Sequence, residues 1–278
     1  MIPTYRPTSN LMALIEVVAP QVTHVVVSDD ASPCSFDGVF RGLSQHPNVE
    51  VVRHERNAGV ARGLNDGLAI AQAAGARWLL TVDQDSMVDS SLIPSLLQCA
   101  HDQAKSGERL GALGVEVVAD ASGEMRYPLM ETGESAWTHE VIQTGTVWNV
   151  DALAQIGGFD ETLGMDAVDA AACLGLRRAG YRIGVALGLR IDHAIGESRM
   201  IAVGNRRVMV TGHSPERRAS MLRNRLRLFP AEFAESPQHA LRTVRRVVVN
   251  QTVGLMLEEQ RWEKAKGTIR GLRLRRSR

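Results

Sequence analysis

Two aspartates one residue apart, Asp83 and Asp85, follow the run Arg77-Trp78-Leu79-Leu80-Thr81-Val82. A short apolar strand that leaves a core and ends in paired carboxylates presents hard oxygen ligands. Mg²⁺ and Mn²⁺ prefer such ligands and keep coordination places for substrate phosphates. Aspartate is common, so the position of the pair after a strand-like run is what gives it meaning. A second acidic pair, Asp29-Asp30, follows the β-branched run Val22–Ser28. In an open α/β sheet, ligands bind beyond the C-terminal ends of the strands, so both pairs are expected on one rim.

The elements that would position them alternate. Strand-like runs at 22–28, 49–53, 77–82 and 113–118 are interleaved with a helical pattern at Val60, Ala61, Leu64, Leu68 and Ala71 and with another helix from about residue 90 to 104. This rhythm predicts an α/β fold with a mostly parallel central sheet flanked by helices. Asp151 is read as the cap of a helix ending at Gly157-Gly158. A further helix is predicted over 166–179, then a strand over 181–187. Ser214-Pro215 and Ser236-Pro237 are helix-start signals. Ile2-Pro3-Thr4-Tyr5-Arg6-Pro7 reads as the end of a first strand whose beginning is absent, so a truncated first strand is expected. The domains are read as 1–212 for the α/β body and 213–278 for a helical, basic extension.

The net charge of +1 over 278 residues hides an asymmetry. Residues 1–192 hold 13 Lys and Arg against 24 Asp and Glu, a balance of −11. Residues 193–278 hold 19 against 7, a balance of +12. An acidic body suits a metal-dependent site and a basic end suits an anionic partner. The three cysteines, Cys34, Cys99 and Cys173, have no metal-ligand spacing and read as residues of a reducing compartment. There is no signal-peptide pattern, and no apolar run nears the ~20 residues of a membrane-spanning helix. The expected location is cytoplasmic. The basic end carries Arg242, Arg245 and Arg246 and then eight Lys and Arg in the last 18 residues, including Arg275, Arg276 and Arg278. It predicts peripheral contact with the anionic inner leaflet of the membrane. Nucleic acid is not expected, because Trp262 is the only aromatic after Phe233 and stacking platforms are missing.

Taken in order, several segments resemble family 2 glycosyltransferases of GT-A fold, and among them the bacterial rhamnosyltransferases. They are Thr4-Tyr5-Arg6-Pro7, Ser28-Asp29-Asp30-Ala31-Ser32, the run from Asn57-Ala58-Gly59 to Asn65-Asp66-Gly67, and Asp83-Gln84-Asp85-Ser86. Farther along come Gly157-Gly158-Phe159-Asp160-Glu161, Asp166-Ala167-Val168-Asp169, Asp192-His193-Ala194-Ile195-Gly196 and Arg223-Asn224.

The resemblance implies an inverting transferase that moves a sugar, L-rhamnose from dTDP-L-rhamnose first among the choices, to a saccharide or lipid-linked saccharide acceptor in surface polysaccharide biosynthesis. It implies Mg²⁺ or Mn²⁺ on Asp85, with Asp83 on the metal or the ribose and His193 as a third ligand from a second loop. Thr4, Tyr5, Arg6, Asp29, Asp30, Gly59, Arg62, Asp83 and Gln84 are then expected around the dTDP or UDP part of the donor. Asp169 resembles the base that takes the acceptor proton. Asp166, three residues earlier, is expected on the same helical face, each carboxylate raising the pKa of the other. Asn57 and Asn65 are read as loop and helix organisers. Two other readings share these residues: another UDP- or dTDP-sugar donor, or a silent nucleotide-sugar-binding module at the membrane. Where relatives carry an acid and an arginine after Asp169, this chain has Ala171 and Gly175, which bears on acceptor recognition.

Overall fold

The computed structural model of the chain describes residues 1–105, 107–120, 123–131, 136–193, 199–203, 206–210, 212–257 and 261–273. They form two compact units. The first, residues 1–119, 124–164 and 168–193, is an α/β body. Its elements are β1 (Ile2–Thr4), α1 (Asn10–Val18), β2 (Val25–Asp29), α2 (Asp37–Leu43), β3 (Val49–Arg53), α3 (Val60–Ala73), β4 (Trp78–Thr81), β5 (Ser86–Met87), α4 (Leu92–Lys105), β6 (Leu110–Asp120), β7 (Gly123–Arg126), β8 (Leu129–Glu131), β9 (Ala136–Thr138), β10 (Thr146–Asn149), α5 (Val150–Gln155), α6 (Val168–Arg178) and β11 (Arg182–His193).

β1, β2 and β3 are parallel, with Thr4 opposite Asp29 and Asp29 opposite Arg53. A hydrogen bond from Val82 N to Met1 O (3.1 Å) sets β4 beside β1. From β4 the order continues β10, β6, β11, β9, β8. The sheet becomes mixed there. β10 runs antiparallel to both β4 and β6, whereas β6 and β11 are parallel.

Side chains alternate between two buried layers, as strand geometry requires. Val25, Val27, Leu113, Val115 and Val147 pack with α1, α2 and α4. Val26, Leu79, Ala112, Trp148 and Ile183 pack on the other face with α3, α5 and α6. Helix α3 buries Ala61, Leu64, Leu68 and Ala71 at the predicted spacing. Gly67 lies on the same face because a Cβ there would come within 2.6 Å of the Met1 side chain.

Several local expectations change. Asn149, not Asp151, caps α5, its side chain accepting from Ala152 N (3.0 Å). Ala167 has φ +64°, which no right-handed helix tolerates. Helix α6 therefore starts at Val168, and Asp166 stands outside it rather than on one face with Asp169. β11 runs six residues past the predicted end at 187, through an irregularity between Ala186 and Arg190 where Gly188 takes φ +79°. The three short strands β7, β8 and β9 carried no alternating pattern. Gly175 of α6 has a packing cause: a Cβ there would lie 3.0 Å from Ile156 Cδ1.

The second unit contains, among the described residues, Asp120, Gly123, 165–167 and those from 199 onward. The hairpin β12 (Arg199–Val203) and β13 (Arg206–Val210) precedes helices α7 (Pro215–Glu235), α8 (Pro237–Leu257) and α9 (Arg261–Arg273). Ser214 caps α7 as predicted, accepting from Arg217 N at 3.2 Å. Buried Arg218 ties α7 to α8 by donating to Asn250 O and Gln251 Oε1, while Gln251 Nε2 donates back to Arg218 O. Gly267 of α9 rests against the backbone of Pro215. Arg275, Arg276 and Arg278 lie outside the described residues.

Trp148 is fully buried, stacks edge-on against Phe159 (centroids 5.3 Å apart) and donates from Nε1 to Thr81 Oγ1 at 2.8 Å. Trp148→Ala should lower unfolding stability by about 3–5 kcal/mol in chemical denaturation. Trp148→Phe should cost less, because it loses mainly the hydrogen bond.

Candidate active site

Asp83-Gln84-Asp85-Ser86 forms a turn closed by Ser86 N donating to Asp83 O at 3.0 Å. The turn leads from β4 into β5, which pairs antiparallel with the end of β11 and sets His193 opposite Ser86. His193 is thus delivered by a strand end, not by a second loop. The three side chains meet. His193 Nε2 lies 3.4 Å from Asp83 Oδ2, and His193 Nδ1 lies 3.3 Å from Asp85 Oδ1. One ligand atom from each of Asp83, Asp85 and His193 falls within 4.8 Å of the others. Two carboxylates and an imidazole at that spacing fit a divalent cation. Asp85 is 46% exposed, so the cluster opens on its side.

Gln84 faces away from the cluster. Its Oε1 accepts from Thr4 Oγ1 and from Tyr5 N (3.2 Å), and its Nε2 donates to Tyr5 O (3.1 Å). One amide thus clasps the end of β1 to the Asp83–Asp85 turn. Arg6, at φ +50°, donates its backbone N–H to Ser32 Oγ at 2.7 Å. A non-glycine residue held in the left-handed region marks a loop whose surroundings enforce its shape.

Asp29 is fully buried. Its carboxylate accepts from Ser32 N (3.2 Å) and from Arg53 Nε (3.1 Å). Arg53, absent from the sequence reading, also pairs with Asp37 at 2.7 Å and lies over the Phe40 ring. The hydrogen bonds that Arg53 donates to Asp37 first and Asp29 second push its guanidinium pKa up. Parallel pairing alone predicts that neighbour, since Arg53 ends β3 level with Asp29. Asp30 accepts two successive backbone N–H groups, Ala58 to Oδ1 (2.6 Å) and Gly59 to Oδ2 (3.0 Å), and so shapes the loop before α3. Beneath it, His54 Nε2 lies 2.7 Å from Asp66 Oδ2, the oxygen that also accepts from Ser28 Oγ at 2.7 Å.

Gly59, at φ +90°, is needed by a neighbour in this chain. A Cβ there would stand 2.7 Å from Gly164 O. Arg62 is half exposed, with Asp66 and Glu161 at 3.6 and 3.7 Å. Asn65 organises the chain: its side chain bonds both N and O of Phe159 (2.8 and 2.9 Å) and Glu161.

Asp169 heads α6 and accepts from Ala170 N at 2.8 Å. With burial the main cause, the Tyr127 phenol and the Cys173 thiol are pushed up, the thiol to about 12; the Asp169 charge adds to both shifts. Asp166 sits in the second unit. Its Oδ1 accepts from Arg217 Nε (3.3 Å) and its backbone O from Asn224 Nδ2 (2.7 Å). Its carboxyl pKa is raised, chiefly by burial, with Arg217 opposing. Burial, not a partnership with Asp169 on a helix face, is the leading cause. Ala194-Ile195-Gly196 lies outside the described residues.

Residues 1–109 match the glycosyl transferase family 2 pattern. A dTDP-rhamnosyl transferase, RfbF of Shigella flexneri, is 26% identical over 239 residues, which span 81% of this chain and 77% of that protein. Among solved structures, residues 1–349 of S. aureus TarS in complex with UDP-GlcNAc superpose with a TM-score of 0.64 at 18% identity, covering 98% of this chain and 78% of that one. GalNAc-T7 with UDP, GalNAc and Mn²⁺ gives a TM-score of 0.56 at 15% identity over 80% of this chain and 46% of that one. Residues 1–109 of the chain thus carry the glycosyl transferase family 2 pattern, and the chain shares the fold of TarS and GalNAc-T7.

Proposed function

We propose that the chain is a metal-dependent, inverting glycosyltransferase that uses a dTDP- or UDP-activated sugar, L-rhamnose from dTDP-L-rhamnose first. The acceptor is a saccharide or lipid-linked saccharide of a surface polysaccharide. The meeting of Asp83, Asp85 and His193 at the rim of the sheet carries this reading. The rhamnose choice draws support from the Shigella flexneri relative and from the Asp83-Gln84-Asp85-Ser86 sequence. TarS, solved with UDP-GlcNAc, favours the second reading, a UDP-sugar on the same scaffold.

A Mg²⁺ or Mn²⁺ held by Asp85, Asp83 and His193 would neutralise the diphosphate and ease its departure from the sugar. The chain's own residues do the rest. Thr4 and Tyr5, clasped by Gln84, and Arg6 form one wall for the nucleotide. Asp29 and Asp30 form the next, with Arg53 supplying the counter-charge to Asp29. Gly59 and Arg62 lie on the loop and helix beyond. Asp169 takes the acceptor proton as the acceptor oxygen bonds to the anomeric carbon and the bond to the diphosphate breaks. Asp166, paired with Arg217, holds the segment ahead of α6 in shape.

The basic end is assigned to the membrane surface. Helix α8 exposes Leu241, Val248, Val249 and Met256 beside Arg242, Arg245 and Arg246, and Trp262 of α9 is 83% exposed. Among the described residues, no helix is long and apolar enough to cross a membrane. A surface contact combining apolar side chains with arginine fits this pattern.

Thermal-shift measurements test the donor. dTDP or UDP with Mn²⁺ should stabilise the protein, by about 2.7 kcal/mol at a hundred times the dissociation constant. Stabilisation by neither nucleotide would remove the reading. Asp85→Ala should lose the metal-dependent part of nucleotide affinity. Asp169→Asn should keep nucleotide binding but lose transfer by a factor of roughly 10² or more, measured with radiolabelled donor. Vesicles containing phosphatidylglycerol should co-sediment the protein at low salt, and the double variant Val248→Glu/Val249→Glu should weaken this. Equal partitioning to neutral vesicles would remove the membrane assignment.

A further inference from the structure

Two side chains that belong to none of the sequence motifs hold the Asp83–His193 pair in place. Gln143 donates from Nε2 to Asp83 Oδ1. That leaves Oδ2 as the oxygen turned toward His193 Nε2. The next residue, Thr144, is fully buried, and its hydroxyl does two things. It accepts the backbone N–H of Asp83 (3.1 Å), and it shares a hydrogen bond with Ser86 Oγ (2.7 Å). Ser86 Oγ in turn lies 3.1 Å from His193 Nδ1. One hydroxyl therefore reaches the backbone of the first carboxylate directly and the imidazole through one intervening serine.

The turn that carries Gln143 and Thr144 has little freedom to shift. Gly145 takes φ +68° and donates to Thr81 O at 3.0 Å, while its own carbonyl accepts from Val115 N at 3.2 Å. Thr146 Oγ1 donates back to Ile142 O at 2.6 Å. Thr81 Oγ1 bonds Gln143 O at 2.5 Å. Each of these bonds is in or beside the core, where an unmade partner costs more than at the surface.

Resting on the metal reading above, we infer that Gln143 and Thr144 are positioning residues for the cation site. They fix the Asp83 carboxylate, with Oδ2 3.4 Å from His193 Nε2, and the plane of the His193 ring before any cation arrives. Asp85, half exposed, is the member that adapts. Groups that orient metal ligands from behind typically contribute a factor of 10 to 100 in metal affinity.

The test titrates Mn²⁺ into the full chain, alone and with dTDP, and follows free Mn²⁺ by its electron paramagnetic resonance signal. Thr144→Val and Gln143→Leu should each weaken Mn²⁺ binding about 10- to 100-fold. Thr144→Ser keeps the hydroxyl and should stay within about threefold of the parent. Thermal unfolding confirms that each variant is folded; if Thr144→Val is not, Gln143→Leu and Thr144→Ser carry the comparison. Asp85→Ala serves as the reference for loss of the site. Mn²⁺ affinity of folded Thr144→Val or Gln143→Leu equal to the parent, while Asp85→Ala loses binding, would overturn the inference and leave the metal reading standing. No Mn²⁺ binding by the parent, with or without dTDP, would overturn both.

Discussion

One buried hydroxyl, Thr81 Oγ1, sits where the sheet and the candidate site meet. It accepts from Trp148 Nε1 at 2.8 Å and bonds Gln143 O, with Thr146 O at 3.3 Å. These contacts fasten the end of β4 to the turn before β10 in the middle of the sheet. Everything that emerges from β4 inherits its direction from that joint, including Asp83 and Asp85 two and four residues on. Because the hydroxyl is fully buried, water cannot replace any partner, so the geometry there is all or nothing.

The rim is built by the same economy of polar groups. Thr4, Asp29 and Arg53 end three parallel strands at one level. Gln84 ties the loop after β1 to the turn after β4, Ser32 ties the loop after β2 to Arg6, and Asp30 ties the loop before α3. Several groups expected to face a ligand are thus engaged within the chain. Arg6 and Ala31 both sit at positive φ on this rim, a conformation costing of order 1 kcal/mol or more and retained where surrounding bonds enforce it. The rim is a preformed surface whose shape is set by the protein's own hydrogen bonds.

Much of this could be read from residue order because it rests on short-range regularities. β-branched runs made strands, the spacing of Val60 to Ala71 made a helix, and carboxylates directly after strands made a rim. The failures are equally physical. β11 could not be followed past 187 because Gly188 breaks the pattern while the ladder resumes at Arg190. The start of α6 was misplaced because nothing in the residue type of Ala167 announces a positive φ. The departures at Ala171 and Gly175 invited a functional explanation, yet the contact of Gly175 with Ile156 gives a packing one.

The amino-acid sequence alone determined the α/β class, the strands that carry the acidic pairs, the charge split and the family 2 pattern over residues 1–109. Those follow from side-chain periodicity and local chemistry. Only the tertiary structure decided that His193 stands opposite Ser86, that Gln84 clasps Thr4 and Tyr5 rather than facing the cluster, and that Gln143 and Thr144 brace Asp83. Ser86 and His193 are 107 residues apart, and Asp83 and Gln143 are 60 apart. Contacts of that separation are fixed by strand register and by the burial of polar groups that must find partners, and neither leaves a mark in the local sequence.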